Sequence, residues 1–379
     1  MSNNELIQRV LYHQVQPQSI QATYTEYNQL DFLISVGEGR SLLPGSVRIL
    51  ADLRVNETAL QRSTGQITYN KNCGGHAFID SVQVSVAGGK NNSGGLLENL
   101  QNYGRYVNMD ANASLDNLDM LDSRQACELR APSQAVSTDM CEGIVSSVGG
   151  GDNITNDADF SIKPLICLNK MDRDLPFSKS GIVTVQLTLA RNMSALFGQN
   201  QTVDANYSLS NVRCCYKSIV EPMNQSPVNM GVVYSVKSNI LSGTASISAN
   251  VPAVCDSVAI NFIQNQHENA QVYDNYKNES VQGLQELQFI MNDQTNSLVT
   301  YQLTDQTEIL ERFIDSMRNT SHNQVSLQKF RSNCAFACGL NFEEPVDLSN
   351  NRFTLEITSG VTNQYPVNVF MYFMASASI

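Results

Sequence analysis

From residue 29 onward the chain keeps returning to a period of two. Residues 46–55 put Val47, Ile49, Ala51, Leu53 and Val55 on one side. Arg48, Asp52 and Arg54 lie between them, and Leu50 is the single apolar exception. Residues 77–86 alternate Val82, Val84 and Val86 with Ser81, Gln83 and Ser85. Residues 182–190 set Val183, Val185, Leu187 and Leu189 against Thr184, Gln186 and Thr188. Successive side chains of an extended strand point to opposite faces, so this pattern means strands with one buried and one wet face. Further strand signals fall at 29–36, 66–69, 160–168 and 207–220. A second series follows at 231–237, 244–249, 253–263, 287–291, 298–303, 334–342, 352–358 and 367–375. Turn residues separate them, as at Gly88-Gly89 and Gly94-Gly95.

Three segments break the pattern. Leu96, Leu97, Leu100, Tyr103, Tyr106 and Val107 recur at three- and four-residue steps, as do Ile309, Leu310, Phe313, Ile314 and Met317. Both predict helices. Leu6, Ile7, Val10 and Leu11 predict a short amphipathic helix over 4–14, ended by Pro17. Residues 108–157 are polar and include Gly149-Gly150-Gly151-Asp152, which predicts a long surface excursion. The stretch 221–229, with Pro222 and Pro227, is the expected boundary between two domains. The resulting division is an N-terminal arm over 1–22, a first β-domain over 23–222 that contains the loop 108–157, and a second over 223–379.

The two halves also close alike. Leu175-Pro176-Phe177, the alternating run 181–189 and the run 207–213 are echoed by Glu344-Pro345-Val346, 352–358 and 365–370. Each half carries one helical segment before these closing strands. The reading is an all-β chain built from a duplicated sandwich or barrel.

Composition narrows the function. Charged residues make up 16% of the chain and hydrophobic residues 42%. Soluble domains average about 25% charged, so part of this surface is expected to be covered by other subunits. The formal net charge of −12, without a Lys/Arg cluster, argues against direct nucleic-acid binding. Nine cysteines without a basic-then-apolar leader point to reduced, buried thiols. No run of about 18 apolar residues predicts a membrane span.

A search for chemistry returns no catalytic, cofactor-binding or metal-binding residue. The four histidines (His13, His76, His267, His322) form no His-Glu-x-x-His pair. Gly88-Gly89-Lys90 lacks the first glycine of a phosphate loop, since Val84 stands there. Cys73-Gly74-Gly75-His76 could supply two metal ligands, and Cys334 with Cys338 two more, but a structural zinc needs four in register. Cys214 and Cys215 point to opposite faces of their strand, one to a core and one to an interface. Glu98, Asp110, Asp116 and Asp119 read as a solvated acidic face.

The succession of these signals resembles the double jelly-roll major capsid proteins of the adenovirus and tailless membrane-containing phage lineage, and those of virophages and Polinton-like viruses. The likeness is carried by 46–55, by 78–89 (Phe-Ile-Asp-Ser-Val-Gln-Val-Ser-Val-Ala-Gly-Gly) with Glu98-Asn99-Leu100-Gln101-Asn102-Tyr103 after it, by Lys163-Pro164-Leu165-Ile166-Cys167-Leu168, and by 252–262 opening the second half. It spans roughly residues 20–379. The resemblance implies two consecutive eight-stranded jelly rolls with short helices between strands, standing upright in a shell. It implies homotrimers forming pseudo-hexagonal capsomers, lattice contacts between capsomers, penton and minor capsid proteins as partners, an internal membrane as a further candidate partner, residence in the virion after assembly inside the host cell without secretion, and no enzymatic activity or cofactor. Two other classes fit an all-β chain of this kind. One is a vertex or other minor virion protein. The other is a carbohydrate-binding β-sandwich, which the absence of Trp disfavours.

Overall fold

The computed structural model describes residues 10–57, 67–88, 94–114, 127–130, 155–198, 204–221, 226–241, 243–268, 270–291, 297–302, 305–317, 330, 335–361 and 365–379. The first half contributes β1 (Val10–Val15), β2 (Gln29–Ile34), β3 (Arg40–Leu42), β4 (Arg48–Glu57), β5 (Ile67–Thr68), β6 (Ile79–Val86), β7 (Gly95–Gln101), β8 (Thr155–Ile162), β9 (Leu175–Pro176), β10 (Val183–Leu189), β11 (Phe197–Gly198) and β12 (Ala205–Val220). The second contributes β13 (Asn229–Ile240), β14 (Ala245–Ala249), β15 (Val254–Gln264), β16 (Leu284–Met291), β17 (Ser297–Gln302), β18 (Ala337–Asp347), β19 (Phe353–Ser359) and β20 (Val367–Ser378). Two longer helices interrupt them, α1 (Tyr103–Ser114) and α2 (Gln306–Ser316).

The strand order of the second half is that of a jelly roll. Counted one to eight from β13 to β20, its sheets run 1-8-3-6 (β13-β20-β15-β18) and 2-7-4-5 (β14-β19-β16-β17). The first half repeats this order. β3 and β4 flank the same side of β12 in succession, and β8 and β9 flank them in turn, so each pair fills one strand position. The sheets are then β1-β12-β3/β4-β8/β9 and β2-β10-β6-β7. The segments that echo each other in sequence, 181–189 with 207–213 and 352–358 with 365–370, fall on the seventh and eighth strands of their rolls. The chain is a double jelly roll.

Where one face meets the core and the other meets solvent, burial follows the alternation. In β10 every Val and Leu is buried and every Thr and Gln is half-exposed. β15 and β20 depart from this rule, being buried along nearly their whole length. Their second face is covered by helices. α2 is capped by Asp305, whose carboxylate accepts the Thr307 and Glu308 N–H groups, and it turns Ile309, Leu310 and Phe313 inward against β18. A Cβ at Gly339 of β18 would stand 2.9 Å from the Val258 carbonyl oxygen and collide with Ser316 of α2, so this close approach requires glycine.

The two rolls share a wall. β7 of the first pairs in parallel with β13 of the second at Asn99 and Tyr234, producing one eight-stranded sheet. Asn99 lies opposite Gln83 on the outward face of the first roll. Tyr234 lies opposite Phe373, whose ring meets Phe353 inside the second roll. The interior of one roll therefore lies on the side that is exterior for the other, and the two bodies sit on opposite sides of the common sheet.

The register also defines two ends. Val10 is level with Ile219, and Arg40 with Val220, at one end, where β13 begins beside Ser378. Glu57, Thr155 and Ala205 lie at the other, together with β5 and β11. Glu57, Gly198, Ala205 and Thr155, which stand beside the undescribed stretches 58–66, 199–203 and 131–154 in the sequence, all lie at this second end.

Several expectations change. Residues 10–15 are a strand rather than part of a helix, pairing antiparallel with Cys214–Ile219 of β12, and residues 4–9 lie outside the described residues. The helical period over 96–107 divides between β7 and α1. The excursion expected over 108–157 is narrower, because α1 continues to Ser114 and β8 starts at Thr155. Of its interior, 127–130 is described and folded against the first roll, while 115–126 and 131–154 are not among the described residues. The strand expected over 160–168 stops at Ile162, and Cys167–Asn169 forms one turn of 3-10 helix.

Candidate functional site

Among the described residues, a dense polar network lies where the two rolls meet, around α1. The helix leaves β7 through Asn102, which adopts the left-handed conformation (φ 54°), and lies against the outer face of the second roll. Tyr372 of β20 donates its hydroxyl to the Asn102 carbonyl at 3.1 Å. Arg105, 3% exposed, places its guanidinium 4.3 Å over the Phe370 ring. It also donates to the carbonyls of Asn275 and of Lys277, the latter at 3.1 Å. A planar cation with five donors suits a site that offers both an aromatic face and two carbonyls.

The segment Asp274–Tyr276 answers from the second roll. Asn108 donates to the Tyr276 carbonyl at 2.6 Å, and the Tyr276 hydroxyl donates to the Ala77 carbonyl at 2.7 Å. The Tyr276 ring lies so close to Gly104 that an added Cβ would sit 2.6 Å from it. Asp274 accepts from Asn70 at 2.6 Å and from the Tyr276 N–H at 2.9 Å. Burial pushes its carboxyl up to about 6, against the lowering effect of these bonds.

Glu98 of β7 contradicts the solvated-face expectation. It is fully buried and accepts the Cys167 N–H at 2.7 Å and, across the roll boundary, the Val233 N–H at 3.1 Å. Burial raises its pKa, and the Lys170 charge and these two bonds oppose the rise. Lys170 in turn donates to Tyr106 of α1 at 3.2 Å. Asp110 is half-buried on α1, and Asp116 and Asp119 lie outside the described residues.

The Cys73-Gly74-Gly75-His76 segment forms the other flank of α1. Cys73 donates its thiol to the Gly104 carbonyl at 3.1 Å. His76, wholly buried, has Nδ1 2.8 Å from the Tyr103 hydroxyl and Nε2 3.4 Å from Glu128. The Tyr103 hydroxyl accepts the Leu165 N–H at 3.0 Å, which leaves its proton for His76 Nδ1 and puts the imidazole proton on Nε2, facing Glu128. Burial lowers the His76 pKa, so the ring is neutral. Glu128 is also desolvated, yet its bond to His76, the Arg130 charge at 3.2 Å and the Lys163 N–H hold its carboxyl down at about 2. The order Tyr-His-Glu superficially resembles a proton relay. His76 and Tyr103 are sealed from solvent, and the chain of contacts ties 127–130 to the first roll.

Among the described residues no group of three or more His, Cys, Asp or Glu could hold a metal ion. Cys338 is buried alone in β18, and Cys334 lies outside the described residues. Cys214 is buried and Cys215 half-buried, on opposite faces of β12. No helix among the described residues is long and apolar enough to cross a membrane. Arg105, Glu98 and Asp274 carry no sequence signal of their partnership. Each is an isolated charge in its stretch of sequence, and apart from the Tyr276 N–H beside Asp274 the hydrogen-bonding groups named for them are 69 to 204 positions away.

The fold class defined by this geometry has known occupants. No family model and no curated protein matches the sequence. Among solved structures, the Faustovirus major capsid protein superposes with a TM-score of 0.61 at 8% identity, covering 98% of this chain and 90% of that one. A chain of the Sputnik virophage matches at 0.61 and 12% identity, covering 98% and 86%. The mavirus major capsid protein matches at 0.54 and 10%, covering 96% and 86%. At such identities the likeness establishes the double jelly-roll fold over nearly the full length of both partners.

Proposed function

We propose that this chain is the major capsid protein of a tailless icosahedral virus, a structural protein and not an enzyme. The observation that carries the reading is the repetition of one jelly-roll order in two rolls joined through a common sheet, in a fold that major capsid proteins of Faustovirus and mavirus share over nearly their whole length. Two similar rolls per chain let three copies present six similar bodies. That is the stoichiometry a pseudo-hexagonal capsomer requires, and such capsomers tile an icosahedral shell.

Further parts of the proposal concern orientation and division. The arm is taken as 1–22, the first roll as 23–222 and the second as 223–379, with Val10–Val15 of the arm supplying the first strand position of the first roll by pairing with β12. The end that bears 58–66, 199–203 and the return of 115–154 faces outward, and the end where Val10 starts faces inward. The support is that the long polar excursion and the N-terminal strand's start belong to opposite ends. Penton and minor capsid proteins complete the shell, an internal membrane is a further contact for the inner end, and direct nucleic-acid binding is not expected at a net charge of −12.

Light scattering on the purified chain in neutral buffer with reductant tests this reading. Three times 41.8 kDa is the expected mass, stable to dilution. A monomer would refute the capsomer reading and favour a carbohydrate-binding β-sandwich, and a pentamer would favour a vertex protein.

A further inference from the structure

Because the rolls lie on opposite sides of the shared sheet, each leaves one half of that sheet with an outward ledge. On the second roll the ledge is filled: α1, the segment 270–281 and α2 cover it and bury Phe370 and Tyr372. On the first roll the corresponding ledge, the outward face of β2, β10, β6 and β7, is covered by no element among the described residues. Its composition is unusual for a solvated face. Thr184, Gln186, Gln83 and Asn99 form its middle, and Leu33 (37% exposed) and Leu96 (57%) its flanks. Apart from Asp80 at the bulged start of β6, Asp31 is the only ionisable side chain among the described residues of these strands on this face, and Gln186 (2.9 Å) and Gln29 (3.0 Å) tie its carboxylate down within the face.

The outward face of the other first-roll sheet supplies the contrast, since it carries Arg48, Asp52, Arg54, Asp159, Arg213 and Lys217. A face that only meets water is free to hold such charges, whereas the centre of a protein interface is depleted in them. The sheet's ends are less suited to association. β18, the edge strand of the second roll, bears Glu343, Glu344 and Pro345, which discourage strand addition.

We infer that the ledge of the first roll is the seat for a second copy of this chain. The inference rests on the capsomer reading and names the surface through which it works. Three strand spacings of about 4.8 Å and six residues of about 3.3 Å give a flat area of about 300 Å². A stable interface takes about 800 Å² from each partner. The ledge is thus the centre of the contact, and the flank of the second roll beside it completes the corner. The occupant is not another copy's ledge. A threefold ring closes through two different surfaces on each copy, so the partner presents its second roll.

The test compares three chains by light scattering, with a circular-dichroism melt of each to establish that it is folded. Gln83→Arg with Leu96→Lys puts two charges on the ledge at half-exposed and exposed positions. Ser210→Arg puts one on the opposite sheet, across from Asp52. The expected result is a trimer for the parent and for S210R, and a folded monomer of 41.8 kDa, or a trimer dissociating at least tenfold more readily, for Q83R/L96K. A Q83R/L96K chain that remains as firmly trimeric as the parent overturns the ledge assignment and leaves the capsomer reading standing. A parent chain that is itself monomeric removes the capsomer reading, and the ledge assignment with it.

Discussion

Arg105 illustrates how much of the junction depends on single side chains. It joins α1 to two carbonyls and one ring of the second roll while 97% shielded from water. Arg105→Met keeps the length but leaves the Asn275 and Lys277 carbonyls without their donor. We expect a loss on the order of 3 kcal/mol in urea unfolding, with Arg105→Lys recovering only part because an ammonium cannot stack and fork at once. Two carboxyls give opposite pH signatures. Asp274 is raised to about 6 from 3.8, so the folded state holds its proton more tightly than the unfolded chain, and stability falls as pH rises from about 4 to 6. Asp274→Asn should remove that slope and stabilise the chain at pH 7 by about 3 kcal/mol at most. Glu128 is lowered to about 2 from 4.5, so its contribution is complete above 4.5 and disappears as pH falls toward 2. Glu128→Gln should flatten the acid limb of a melting-temperature profile. An unchanged limb would mean that the clamp on 127–130 contributes nothing to stability.

At the scale of elements, the sequence was most legible where a strand has one wet face. β4, β6 and β10 were readable from their alternation because solvent enforces it. β15 and β20 were found only as apolar runs, since burial on both faces erases the period that distinguishes strand from helix. β1 was read as a helix for a related reason. Leu6, Ile7, Val10 and Leu11 satisfy a helical spacing, but from Val10 onward pairing with β12 decides the conformation, and that partner lies about 200 residues away. The acidic residues misled in the same manner: nothing local to Glu98 announces that its partners are the N–H groups of Cys167 and Val233. A truncation series follows from β1. Removal of 2–9 should leave the proposed trimer and its melting temperature nearly unchanged. Removal of 2–16 uncovers Tyr216, which stacks on His13 at 4.8 Å, and should lower the melting temperature by several degrees. Equal melting temperatures for the two would show that β1 adds nothing to the sheet.

For the whole molecule, the two ends make a prediction about surfaces. If the excursion faces outward, trypsin should cut assembled particles first within 115–154, where Arg124 is a candidate site on the N-terminal side of the 127–130 clamp. First cuts at the inward end, as at Arg40 or Lys179, would reverse the assigned orientation. The shared wall has a mechanical consequence as well. Two rolls on opposite sides of one continuous sheet, bolted by α1, are joined by strand pairing and by side chains as well as by the connection after β12, so each chain resists bending as a single plate. In a shell made of such plates, curvature and any yielding under internal pressure would be taken up along the seams between copies, while the joint within each copy stays rigid.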